Sequence, residues 1–292
     1  MSAQPPRSVR LFLLPVISFM FIPMGFFITY AISVLNKSVS PLFPMISETG
    51  TTEPGNYVFG AIVHFGTLLY LSTGIYAFTI RRMLINKARK LIPWRRTTAR
   101  WANRVMLIPL AISSLGGFMI AHIELNQNPT WHFIGALTCF GAAMAYMILA
   151  TILTLVMPLI RWLSATRVAI CVTTALCFVG FLTHLFLIVK HGIHQQQGPD
   201  SIFIARFHIN PNQNENNWTV IKALAMGSFC EWLMAFCYGF YMLTFAVEFG
   251  KITVPLPVPE IDENQDDEKD LEMPTNLPGA PRTYTSGRNG RV

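Results

Sequence analysis

Long apolar runs alternate with short polar connections along most of the chain. Six runs are long enough to cross a hydrocarbon layer of about 30 Å, which takes about 20 helical residues. They are Leu11–Leu35, Val58–Ile80, Val105–Ile123, Trp131–Ile160, Val168–Val189 and Val220–Val247. Their apolar residues are continuous rather than alternating, so the pattern predicts helices and not the two-residue period of a membrane barrel. The expected fold class is therefore all-α: a polytopic membrane protein with six transmembrane helices in one domain, residues 1–250. The first run is longer than a signal-peptide core and lacks a small-x-small exit, so it is expected to be a span. Trp101, Trp131, Trp162 and Trp218 stand at run edges, where an aromatic belt would place them.

The segment after residue 250 differs in kind. Glu260, Asp262, Glu263, Asp266, Asp267, Glu268, Asp270 and Glu272 face a single Lys269, and six prolines follow residue 250. Such a stretch has too little apolar surface to bury, so 251–292 is expected to be a disordered acidic and proline-rich tail.

Charge gives direction. Only 13% of residues are charged, against about 25% in soluble domains. The net charge of +7 is concentrated. Arg81, Arg82, Lys87, Arg89, Lys90, Arg95, Arg96, Arg100 and Arg104 lie between the second and third runs with no acid among them. Arg7, Arg10, Arg161 and Arg167 fall on the same side. The opposite side holds Lys37, Lys190, Arg206 and Lys222. The positive-inside rule then puts both termini in the cytosol. This placement explains the basic balance without nucleic acid. The nine-residue basic loop also points to anionic lipids of the bilayer as partners. Two possible N-glycosylation sites, Asn36 and Asn217, both fall on the non-cytosolic side. Cys139, Cys171, Cys177, Cys230 and Cys237 all lie inside apolar runs, which predicts buried small hydrophobes and no disulfide framework.

The polar residues inside the runs carry whatever chemistry there is. Glu231 stands in the last run, among ten Leu, Ile, Val and Phe residues. A carboxylate at a span centre costs roughly 2.5–3.5 kcal/mol, so it should face the protein interior and have a partner. His64, His122, Glu124, His132 and His184 complete an intramembrane polar cluster in the expected lumenal half. Before the second run lies a loop dense in hydroxyls, Ser47-Glu48-Thr49-Gly50-Thr51-Thr52-Glu53-Pro54, with apolar neighbours that should fold it back on the bundle. Three uses compete: pairing inside a packed bundle, lining a cavity for a lipid headgroup or small solute, and catalysis. No G-x-S-x-G, H-E-x-x-H or other chemistry-bearing spacing occurs, so no catalytic residue, metal or cofactor is assigned. A metal held by His122, Glu124 and His132 is the weakest of these options. In an acidic lumen the histidines would titrate and sense pH.

Certain segments resemble a known family. Phe43-Pro-Met-Ile-Ser-Glu-Thr-Gly-Thr-Thr-Glu-Pro followed by Phe59-Gly60 is similar to the first-loop signature of the DRAM (damage-regulated autophagy modulator) family, within the Frag/DRAM/Sfk superfamily. His132-x-x-Gly135-Ala136 and Phe229-Cys230-Glu231-Trp232 with Phe240-Tyr241-x-Leu243-Thr244-Phe245 resemble its fourth-span and last-helix motifs. The resemblance covers about residues 10–250. It implies a non-enzymatic six-span protein that modulates autophagy at lysosomal or endosomal membranes. Other branches imply alternatives: a plasma-membrane scaffold that regulates phosphoinositide kinase recruitment or lipid organisation, or a GPI-anchor lipid-remodelling factor in the Golgi. The chain departs from the DRAM pattern at Ala121-His122-Ile123-Glu124 and in its longer acidic tail.

Overall fold

Each apolar run forms a helix, and the helices extend past the runs wherever the flanking polar residues have somewhere to go. The computed structural model describes residues 8–39, 41, 44–87, 92–157, 161–190, 215–250 and 253–255. Among the described residues the helices, in chain order, are α1 (Leu13–Leu35), α2 (Gly55–Lys87), α3 (Pro93–Val105), α4 (Leu107–His122), α5 (Pro129–Val156), α6 (Arg161–Lys190), α7 (Glu215–Leu243) and α8 (Phe245–Phe249). A 3₁₀ turn, Ser47–Gly50, lies between α1 and α2. The chain divides into residues 9–254 and a second unit made of 1–8 and 255–292; all the described helices belong to the first. Two short strands, β1 (Ser8–Arg10) and β2 (Thr253–Pro255), pair as a two-stranded sheet. The rest of the predicted acidic tail lies outside the described residues.

Among the described residues, six stretches are long and apolar enough to cross a membrane: Leu13–Leu35, Gly55–Lys87, Pro93–His122, Pro129–Val156, Arg161–Thr183 and Ala225–Phe249. The fold is an all-α polytopic membrane bundle. Ile17, Met24, Phe27, Ile108, Leu115, Leu176 and Val179 point outward with large exposed area, the arrangement that lipid solvates and water does not. Where helices meet, small residues let backbones approach. A side chain on Gly116 of α4 would collide with Gly135 O and Cys139 of α5, the close small-residue contact common between membrane helices. Asn128 caps α5 by accepting Trp131 N–H at 3.3 Å, with Pro129 in the first turn.

The basic segment departs from its predicted form as a loop. α2 continues through Arg82 to Lys87, and α3 starts at Pro93, ending in a tight junction with α4 at Met106. Proline fixes the backbone for a first helical turn, and Ala99 and Asn103 supply a buried stripe. Asn103 Nδ2 donates to Phe78 O at 2.9 Å and fastens α3 to α2. Arg82, Lys87, Arg95, Arg100 and Arg104 remain exposed, and Arg96 is half-buried. Arg89 and Lys90 lie outside the described residues. Arg81 is a correction: counted in the basic loop by sequence, it is fully buried. Its long stem and flat head let it turn inward where a carboxylate awaits it.

Candidate functional site

Buried polar groups gather at the two ends of the bundle, with an apolar cavity between them. At the basic end, Arg81 of α2 donates from Nε to Glu248 Oε2 at 3.1 Å and from Nη2 to Oε1 at 3.1 Å. Arg167 of α6 bonds Glu248 Oε1 from its Nη1. Thr154 of α5 accepts from both arginines, at 3.2 Å from Arg81 and 2.7 Å from Arg167. Thr244, at the α7–α8 junction, accepts from Arg167 Nε at 2.8 Å. Phe245 presents its ring to both guanidinium groups, 4.9 Å from Arg81 and 4.7 Å from Arg167. Arg81, Arg167 and Glu248 are all buried. Planar guanidinium forks suit a shared carboxylate because two parallel bonds can form at once. The cluster ties α2, α5, α6 and α8 together.

Sequence reasoning missed this cluster. It used Arg81 and Arg167 as topology signals and gave Glu248 no role. Position along the chain offered a hint and no more. Both arginines abut apolar runs, and Glu248 is the one acid close behind the last run, with no acid among the basic residues 81–104.

At the other end, the connection between α1 and α2 folds into the bundle. Ile46 N–H donates to Glu231 Oε2 at 3.0 Å, across 185 residues of sequence. Glu48 turns back to accept Met45 N–H at 2.8 Å. Thr49 Oγ1 donates to Ile46 O at 2.6 Å, Thr51 Oγ1 to Glu48 O at 2.8 Å, and Ser33 Oγ of α1 to Thr49 O at 2.7 Å. Ser47, Glu48, Thr49, Gly50 and Thr51 are buried, whereas Thr52 and Pro54 are exposed. The hydroxyls of the motif thus tie down the loop's own carbonyls, which a buried turn must satisfy. Trp232 closes the site from α7: its Nε1 donates to Pro44 O at 2.9 Å, and its ring stacks on Phe27.

The six residues of the expected polar cluster do not form one constellation. His64 and His122 meet, Nδ1 to Nε2, at 3.1 Å. Glu124 accepts Asn56 Nδ2 at 3.0 Å and Gln127 Nε2 at 2.8 Å. His64, His122, Glu124 and Asn56 border an outer cleft of about 460 Å³. His132 borders the same cleft but is itself buried, with Nδ1 2.6 Å from Ile123 O. Glu231 belongs to the loop instead. The side chain of His184 lies outside the described residues. Among the described residues no group of three or more His, Cys, Asp or Glu is arranged to hold a metal ion. Asn36 is exposed just after α1; Asn217 falls inside α7, its side chain outside the described residues. The cysteines are free thiols.

Comparison with known proteins adds a second line. The sequence profile of the Frag1/DRAM/Sfk1/Cwh43P N-terminal domain matches residues 10–252. DNA damage-regulated autophagy modulator protein 1 of Homo sapiens is 26% identical over 235 residues, 79% of this chain and 87% of that protein. DNA damage-regulated autophagy modulator protein 2 of Homo sapiens is 26% identical over 236 residues, 79% of this chain and 80% of that protein. Modulator of macroautophagy TMEM150B of Mus musculus is 25% identical over 250 residues, 82% and 85% of the two chains. No solved structure matches the chain.

Proposed function

Because the chain belongs to the Frag1/DRAM/Sfk1/Cwh43P family, we propose that it is a non-enzymatic modulator of autophagy seated in the lysosomal or endosomal membrane. The observation that carries this reading is the extent of the match. Residues 10–252 coincide with the helical unit and not with a fragment of it. Relatives named as autophagy modulators cover about four-fifths of the chain. The non-enzymatic part is supported by where the buried ionisable groups are spent. Glu248 is shared between two arginines, and Glu231 holds the backbone of the first loop. Both are joints between elements. The exposed Arg82, Arg95, Arg100 and Arg104 at one end support a cytosolic position for both termini.

The test is autophagic flux in starved cells lacking the protein, with and without a block of lysosomal acidification. Flux is expected to fall and to recover with the full-length chain, which should co-localise with lysosomal markers. Unchanged flux would overturn the reading. Protease access to tags at the two ends tests the orientation separately.

One observation favours a second reading, a plasma-membrane scaffold acting on phosphoinositide machinery. Helix α3 exposes Trp94 and Trp101 together with Arg95 and Arg104, which lie 5.4 and 5.7 Å from those rings. Such a surface suits an anionic membrane interface. Location of the tagged protein at the cell surface, not in lysosomes, would select it.

A further inference from the structure

A polar cleft of about 280 Å³ lies between α2 and α3 at the basic end of the bundle. Arg82 and Asn86 stand four residues apart on α2, and Arg100 and Arg104 four apart on α3, so each helix carries its pair on one face. All four are exposed, so the cleft opens at the surface. Two bonds hold its walls together. Asn103 Nδ2 donates to Phe78 O at 2.9 Å, and Arg100 Nε donates to Asn86 Oδ1 at 3.2 Å. The second bond spends one of the five N–H groups of Arg100 and orients the others. Arg104 rests against the exposed Trp101, 5.7 Å from its ring.

The described carboxylates are spent elsewhere. No acid occurs between residues 81 and 104. Glu248 is shared by Arg81 and Arg167. Glu53 and Glu124 bond Tyr57 and Asn56, Glu231 bonds Ile46 N–H, and Glu48 bonds Met45 N–H, all at the loop end. Like charges at i and i+4 repel. A cleft lined by one sign of charge concentrates its field on whatever enters it.

We propose that this cleft binds a phosphate monoester, as a lipid headgroup or as a soluble phosphate. Three guanidinium groups line it, and a monoester brings three terminal oxygens and about −1.5 to −2 of charge. Each fork can then bond its own oxygen. A phosphodiester offers one charge and two such oxygens, and a carboxylate does the same. At the share of about 30 Å³ that a molecule takes in liquid water, the cleft has room for about nine waters, more than a phosphate group needs. An exposed indole beside an arginine suits the headgroup layer of a bilayer. This is a preference among anions of matched charge, distinct from a general attraction to anionic lipid, and it stands whether or not the chain modulates autophagy.

The experiment places the full-length protein in phosphatidylcholine nanodiscs that carry phosphatidic acid, a monoester, and phosphatidylglycerol, a diester, at twice its mole fraction. The diester then matches the monoester in total charge. Native mass spectrometry of the released protein counts each lipid kept. Phosphatidic acid should be favoured by about ten-fold per mole of lipid, the worth of one added hydrogen bond to a charged group. Arg82→Gln with Arg104→Gln should bring the ratio close to one. Lys87→Gln with Arg95→Gln removes the same charge from exposed positions outside the cleft and should leave the ratio unchanged. Glycerol 3-phosphate, with glycerophosphoglycerol as its diester control, tests the soluble source by the thermal shift of the detergent-purified protein. A monoester preference in nanodiscs assigns a lipid headgroup; a preference in solution alone assigns a soluble phosphate. No monoester preference of the wild-type protein in either setting, or an equal loss of it in both double variants, overturns the proposal. The wild-type comparison needs no variant, so it decides the matter even where a substitution fails to fold.

Discussion

Arg81 and Glu248, 167 residues apart, meet through two bonds of 3.1 Å with neither side chain open to solvent. Arg167 enters the same carboxylate from the other side, so one negative charge serves two positive ones. Thr154 spreads the contact to a fourth helix, itself donating to Ala150 O at 2.7 Å while accepting from both guanidiniums. This is a locking point for the basic end of the bundle, and its failure should be asymmetric.

Glu248→Ala leaves two buried guanidiniums facing each other across Phe245. Breaking a buried pair by deleting one partner costs about 3–5 kcal/mol. Thermal unfolding of the detergent-purified protein should show a large fall in midpoint, and the variant should be retained in the endoplasmic reticulum. Arg82→Gln is the control. Arg82 neighbours Arg81 but is exposed, so its loss should stay within about 0.5 kcal/mol. Equal midpoints for the two variants would show that the cluster does not lock the bundle.

Glu231 makes a different prediction, because its partner is a backbone N–H. Glu231→Gln keeps an oxygen to accept from Ile46 and should preserve stability and trafficking. Glu231→Ala removes the acceptor and strands a buried donor, a loss of about 1–3 kcal/mol. Glu231→Lys sets a donor against a donor in an apolar site and should block exit from the endoplasmic reticulum. Normal surface or lysosomal delivery of the Lys variant would contradict the buried geometry.

These two carboxylates also mark how far the sequence could be read. The spans were legible because hydrocarbon demands long apolar runs, and Glu231 stood out because its cost inside one is large. That its partner is Ile46 N–H was not legible, since every residue but proline offers the same donor. Arg81, Arg167 and Glu248 were hidden for another reason. Charges beside an apolar run look alike whether they face headgroups or turn inward, and only the packing of four elements brings these three together. The polar residues of the spans were grouped by the half of the membrane they were expected to occupy, and depth alone does not set which face a side chain occupies. His64 and His122 pair with each other at the outer cleft, while His132 is buried at its edge against Ile123 O.

The first loop is held partly by one indole. Trp232→Phe keeps a ring against Phe27 but deletes the N–H donated to Pro44 O at 2.9 Å. The net loss for one such bond is about 1 kcal/mol. Limited proteolysis between α1 and α2 should therefore speed up about five-fold with the rest of the bundle unchanged. Gly50→Val should have a larger effect on the same readout, because its side chain would collide with the Phe59 ring. Cleavage rates unchanged in both would mean the loop is held elsewhere.

The exposed arginines at the opposite end give the last prediction. Arg100 is partly occupied, donating to Asn86 Oδ1 at 3.2 Å, so the residues free to meet lipid are better represented by Arg82, Arg95 and Arg104. Each basic residue near an anionic surface contributes about 1 kcal/mol. The triple Gln variant should therefore prefer anionic over zwitterionic lipid by about 3 kcal/mol less than the wild-type protein, roughly a hundred-fold change in retention. Native mass spectrometry of the protein released from mixed-lipid nanodiscs counts the lipids it keeps. Raising salt from 0.1 to 1 M shortens the screening length from about 10 to about 3 Å and should erase the difference. Arg81 and Arg167 are buried and already share Glu248, so they provide no salt-sensitive attraction of this kind. Undiminished anionic-lipid retention in the triple variant would mean that these arginines orient the chain in the membrane without recruiting lipid to it.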